Sequence, residues 1–218
     1  MCVPFLTNPQ QVHPQYDCNE IGLWSRWQNS LVADILVVGQ DWGGTDYYKK
    51  GKGREDDSNP TNKNLMTLFD SIGISLCGPQ HTEKKPRSYP QLFFTNAVLC
   101  LKSGGMNGTI PVKNSSACGE HFLRPLIDLI EPKVVITLGV TAYSSVANAY
   151  GVRVTKFEDA VNCSDGYPLL PLEKTRLFPV FHCGKYGWQI NRRESNQNPG
   201  DKQKQDWQKI KTFLANLT

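Results

Sequence analysis

No apolar run in this chain approaches the roughly 20 residues that a membrane-spanning helix requires, which excludes a helical membrane protein. The opening MCVPFLTNPQ has no charged stretch leading into an apolar one, so no secretory signal is expected and the predicted location is the cytoplasm. No GxGxxG fingerprint and no Walker lysine stand after its first strand-like run, which argues against dinucleotide and P-loop sites. Internal repeats and low-complexity tracts are missing. The seven cysteines, Cys2, Cys18, Cys77, Cys100, Cys118, Cys163 and Cys183, are odd in number, scattered and without a CxxC pair, so no disulfide framework is expected. Strong charge of one sign is lacking as well: the net charge of +4 is too small to require a polyanionic partner. Its distribution is uneven, however. From Lys185 to Lys211 seven basic residues stand against three acidic ones, an excess equal to that of the whole chain. A solvated helix face explains the Lys202 to Lys211 part about as well as a nucleic-acid footprint does.

What is present is ordinary for a globular protein. Hydrophobic residues at 39% and charged residues at 20% argue against disorder, and 218 residues suffice for one large domain, read here as residues 1–218. Four short β-branched or aromatic runs, Asp34 to Gly39, Leu92 to Leu99, Lys133 to Gly139 and Arg176 to His182, read as parallel strands. Between and after them, Asn64 to Ile72, Cys118 to Ile130, Thr141 to Tyr150 and Asp201 to Leu217 carry apolar residues at helical spacing. This alternation predicts a three-layer α/β/α sandwich around a four-stranded parallel sheet. Long polar loops follow the strands and gather on one edge of the sheet.

The residues at the strand ends carry the chemistry. The first run, ILVVGQDWGG, breaks into Gly39-Gln40-Asp41; Thr95-Asn96 lies within the second, Gly139 closes the third, and Phe181-His182 closes the fourth. In an open α/β sheet, ligands bind in the crevice beyond these ends. An amide there can pair two edges of a nucleobase, an imidazole can donate to a carbonyl or a developing anion, and a carboxylate can orient a water or stabilise a cation. Each also has a plain structural explanation: Asp41 as a turn or helix cap, Asn96 as a partner for backbone, His182 as a core histidine.

Taken together these motifs resemble the uracil-DNA glycosylase superfamily. Gly39-Gln40-Asp41-Trp42-Gly43 looks like a blend of the GQDPY and GEAPG-like first motifs of two of its branches. FFTNAVLCLK is similar to the (I/V)TNxVKC strand of the iron–sulfur branch, EPKVVITLG to its xPKVIVALG, and PVFHCG to its final HPS segment. NPTNKNLMTLFDSIGI resembles the helix after the first motif, and the matches run in order from about Asp34 to Arg193.

The resemblance implies a repair enzyme that flips uracil out of DNA and hydrolyses its N-glycosidic bond, acting as a monofunctional glycosylase on single-stranded or mismatched DNA. It implies that Asp41 orients the water and stabilises the sugar cation, that Asn96 reads the base and that His182 donates toward uracil O2. Gly39, Gln40 and Gly43 complete the base pocket. Gly43 stands where the common branch has a tyrosine that bars thymine, and Cys183-Gly184 replaces Pro-Ser after the final histidine. In the family pattern the segment beyond His182 grips DNA, which points to Lys185, Arg192 and Arg193 for phosphates and to Tyr186 or Trp188 as a wedge. No aromatic stands near Asn59 to Thr61 to stack on the base, which leaves Trp42, Tyr47 and Tyr48. The reaction needs no cofactor. An iron–sulfur cluster is the alternative fate of Cys100 and Cys118, which fall where the branch's later ligands stand, with Cys2 and Cys18 upstream. A monomer is expected. Two other functions remain open: a non-cleaving module that binds damaged or single-stranded nucleic acid, motivated by the altered HCG segment, and a nucleoside-processing enzyme on the same sheet.

Overall fold

Alternating side chains of the strands enter two separate cores, and this period of two organises the whole fold. The computed structural model describes residues 6–7, 30–43, 57–78, 90–102, 108–153, 156–190 and 200–217. Its main sheet contains β2 (Ile35–Gly39), β3 (Leu92–Asn96), β5 (Val134–Leu138), β6 (Tyr167–Leu169) and β7 (Leu172–Val180), in the order β3-β2-β5-β7-β6. Two short strands, β1 (Leu6–Thr7) and β4 (Leu101–Lys102), pair antiparallel apart from it. Ile35, Val37, Leu92, Phe94, Val134, Ile136, Phe178 and Val180 face one core. Leu36, Val38, Phe93, Val135 and Leu177 face the other. Both faces of the sheet are therefore covered, which is why its strands read as unbroken apolar runs.

The helices divide between these faces. Helix α1 (Pro60–Ser71) starts at Asn59, whose Oδ1 accepts from the Thr61 N–H at 2.8 Å, with Pro60 at the first helical position. Its Leu65, Leu68 and Phe69 join the first core, where they meet Trp207 and Ile210 of α7 (Asp201–Ala215). Phe69 packs edge-on to Trp207 with centroids 4.9 Å apart. The second core is covered by α3 (Arg124–Ile130), α4 (Val140–Ala149) and α5 (Phe157–Val161), through Ile127, Tyr143, Val146 and Ala160. Helix α2 (Val112–Cys118) leads into α3 through a π-helical turn at Gly119–Leu123. That turn sits where Gly119 approaches the Ser145 backbone too closely for any side chain, a Cβ there lying 2.7 Å from the Ser145 oxygen. Helix α6 (Lys185–Ile190) follows β7.

The three-layer sandwich matches expectation, but the sheet has five strands rather than four. Strands β3, β2, β5 and β7 are mutually parallel, and the fifth, β6, pairs antiparallel with β7 at the edge. It escapes a sequence reading because YPL is three residues long and holds a proline, which edge strands tolerate. The second predicted strand also stops earlier, at Asn96, and the fourth begins earlier, at Leu172. Among the described residues no helix is long and apolar enough to cross a membrane.

The connections leaving β2 and β5 run in opposite directions across the sheet, toward β3 through α1 and toward β7 through α4 and α5. Between those strands lies the switch point at which such sheets bind ligands.

Candidate active site

Gly39, the last residue of β2, pairs in register with Asn96, the last of β3. The chains stay together beyond the sheet: Ala97 N–H donates to the Gly39 carbonyl at 2.8 Å and Val98 N–H to that of Gln40 at 3.0 Å. A Cβ on Gly39 would overlap Asn96 Oδ1, so the missing side chain at 39 is what gives the Asn96 amide its place. Across the switch point, the Gly139 N–H donates to the Val180 carbonyl at 2.9 Å, and Gly139, at φ 85°, starts α4. A Cβ there would stand 3.3 Å from that of His182. Glycines thus bring the ends of β2 and β5 close to the Asn96 and His182 side chains beside them.

Asp41 does two things at once. Its Oδ1 accepts from the Gly43 N–H at 2.5 Å, closing a turn for which Gly43 adopts φ 82°. Its Oδ2 accepts from Gln40 Nε2 at 2.7 Å and from Lys102 Nζ at 3.1 Å. The Asp41 and Lys102 side chains are each only 4% exposed, so this is a buried ion pair. Lys102 belongs to β4 and closes the FFTNAVLCLK stretch quoted above, although no role was expected of it there.

The His182 ring is held by the backbone that follows it. The Gly184 N–H donates to its Nδ1 at 3.0 Å, so the neutral ring carries its proton on Nε2. Protein atoms crowding the ring depress its proton affinity below that of a free histidine, and the Asp41 charge offsets this only in part. The residue as a whole nonetheless keeps exposed surface. A neutral imidazole with an available Nε2–H is a donor suited to an oxygen that gains negative charge.

The segment behind His182 is anchored from two helices. Asn64 of α1 donates through Nδ2 to the Cys183 carbonyl at 2.7 Å. Gln203 of α7 donates through Nε2 to the carbonyls of His182 at 3.3 Å and Gly187 at 3.4 Å. Cys183 is fully buried, its thiol pushed up to about 12 by burial, and its Sγ lies 3.5 Å from the Thr61 carbonyl. It is a packing residue, not a nucleophile. Neither Asn64 nor Gln203 stands out in the motifs, although a signal existed for Gln203: it lies on the same stripe of α7 as Trp207 and Ile210, a polar residue on an apolar face.

Beyond this point the predicted DNA contacts separate. Lys185 is exposed and Tyr186 is 75% exposed, whereas Trp188 packs against the first core, with its ring filling the space above Gly200. Trp42 is buried. Arg192, Arg193, Tyr47 and Tyr48 lie outside the described residues, as do Cys2 and Cys18. Cys118 is buried beside Val98, and Cys100 packs against them with Ile110. Among the described residues no group of three or more His, Cys, Asp or Glu is gathered to hold a metal.

Residues 28–211 match the uracil DNA glycosylase superfamily. The chain belongs to that superfamily. Part of it is also similar to a curated relative, the type-4 uracil-DNA glycosylase of Thermotoga maritima, at 32% identity over 91 residues. That match covers 42% of this chain and 42% of the relative. The superfamily match takes in all of β2, β3, β5 and β7 and with them Asp41, Asn96, Lys102 and His182.

Proposed function

We propose that residues 1–218 act as a single, monomeric DNA-repair glycosylase that extrudes uracil from DNA and hydrolyses its N-glycosidic bond, leaving an abasic site. The observation that carries the reading is the state of His182: a neutral ring with Nδ1 occupied by the Gly184 N–H and Nε2–H available at the crevice. In this reaction the C1′–N1 bond breaks heterolytically, the electron pair leaves with the base, and water adds to C1′ of the resulting cation. His182 donates to O2 of the departing uracil anion, so no general acid has to protonate the base. Asn96 reads the Watson–Crick edge through its amide, beside the backbone of Gly39 and Gln40. Asp41 orients the water and stabilises the cationic sugar, and the water's proton passes to solvent. Gly43 leaves the pocket open beside C5 of the base. Lys185 and Tyr186, with Arg192 and Arg193 further along, meet the DNA backbone and the gap left by the flipped base. No step passes through a metal or a cofactor.

The test is incubation with uracil-containing oligonucleotides, single-stranded and as U·G mismatches, followed by alkaline cleavage at abasic sites. Strand breaks at uracil are expected, with least effort where the base is poorly stacked. Absence of abasic product at stoichiometric protein would reject the enzyme and favour a module that binds without cleaving.

A further inference from the structure

The ion pair of Asp41 with Lys102 joins two quoted stretches without any role having been assigned to the lysine, and its geometry gives it one. An ionised carboxylate offers about four acceptor positions. Among the described residues three donors reach that of Asp41: the Gly43 N–H on Oδ1, and Gln40 Nε2 and Lys102 Nζ on Oδ2. By that count the described residues leave one acceptor position unfilled. Of the three donors only Lys102 is charged, and only Lys102 comes from outside the loop that carries Asp41. Its side chain is as buried as its partner's, so salt screens the pair far less than it would an exposed one. Among the described residues His182 also feels the Asp41 charge. Lys102 is in turn held by its backbone, which pairs with Leu6 in the β1–β4 ribbon.

We propose that Lys102 is a positioning residue of this active centre, whose ammonium fixes the Asp41 carboxylate so that its one open acceptor site takes the attacking water. This rests on the glycosylase reading for what the water does, but the fixing of the carboxylate is independent of it. Lys102 itself contacts neither base nor sugar. It acts through the position of Asp41, and an error of about 1 Å in such a group costs on the order of 10²-fold in rate.

The experiment is a double-mutant cycle on single-stranded uracil oligonucleotide, with Lys102→Met made in the wild type and in Asp41→Asn, joined to a crystal structure of Lys102→Met. Expected are a kcat lowered by about 10²-fold with KM unchanged, an effect of Lys102→Met that disappears in the Asp41→Asn background, and a carboxylate turned away from Gln40 and Gly43 in the crystal. Loss of packing alone would not vanish in that background. If Lys102→Met does not fold, Lys102→Gln, which keeps an N–H donor group without the charge, takes its place in every arm. A carboxylate that keeps its place, a kcat within about twofold of wild type, or an undiminished effect in Asp41→Asn each overturns the proposal. If the wild type itself releases no uracil, the glycosylase reading fails, and the position of Asp41 in the variant crystal decides the role of Lys102 alone.

Discussion

Clearance measured in single atoms governs the site. Gly39 has no space for a methyl group beside Asn96, so Gly39→Ala should push the amide aside while the strand, whose φ is ordinary, still forms. The expected outcome is a rise in KM and a fall in kcat of about 10-fold or more together, with discrimination between uracil and cytosine blurred, measured by single-turnover kinetics on both bases. His182 offers a second test through pH. Its folded-state proton affinity is depressed, so the unfolded chain binds the extra proton first. The stability contributed by the neutral ring is complete above the free-histidine value of about 6.5 and is lost as pH falls through it. In His182→Asn the amide oxygen can accept from Gly184 at every pH, so its melting temperature should decline less than that of wild type between pH 7 and pH 5.5. Equal declines would mean that the Gly184 bond does not depend on the charge of the ring.

Helix α6 puts two aromatics, two residues apart, in opposite surroundings. Tyr186→Ala should weaken DNA binding and leave the melting temperature unchanged, because the ring is exposed. Trp188→Ala should lower stability by about 3 kcal/mol, because its ring packs on the first core and over Gly200. Thermal melts and fluorescence-anisotropy titrations separate the two, and identical effects would place both rings on one surface. The same contrast shows what a sequence can and cannot disclose. Tyr and Trp at alternating positions after a histidine suit a wedge as well as an anchor, and what decides for Trp188 is Gly200, a residue brought in by the tertiary fold. By contrast, the four parallel strands and the strand-end positions of Asp41, Asn96 and His182 were legible, because apolar runs of that length and the breaks after them are local facts. Lys102, Asn64 and Gln203 were not. Each acts by reaching another element, and a lysine in a polar loop looks the same whether it is solvated or buried on a carboxylate. The fifth strand stayed hidden for the same reason: three residues with a proline become a strand only beside β7.

At the scale of the whole molecule, the switch point between β2 and β5 explains why so much of the site comes from segments distant in sequence. The sheet supplies Gly39, Asn96 and Gly139 as strand ends, α1 and α7 hold the His182 segment, and the β1–β4 ribbon holds Lys102. That ribbon has a consequence in time. Leu6 meets Lys102 across most of the first half of the chain, and the pairing is only two residues long, so closing that loop costs entropy for little immediate return. The sheet and its two apolar cores can form without it. Contacts of this kind come late in folding. On refolding from denaturant, near-ultraviolet dichroism of the buried aromatics should therefore recover before uracil release does, and a chain starting at Ser30 should regain the dichroism and never the full rate. Maturation of the catalytic carboxylate would then be a separate event from acquisition of the fold, completed only when the far end of the chain has found its place.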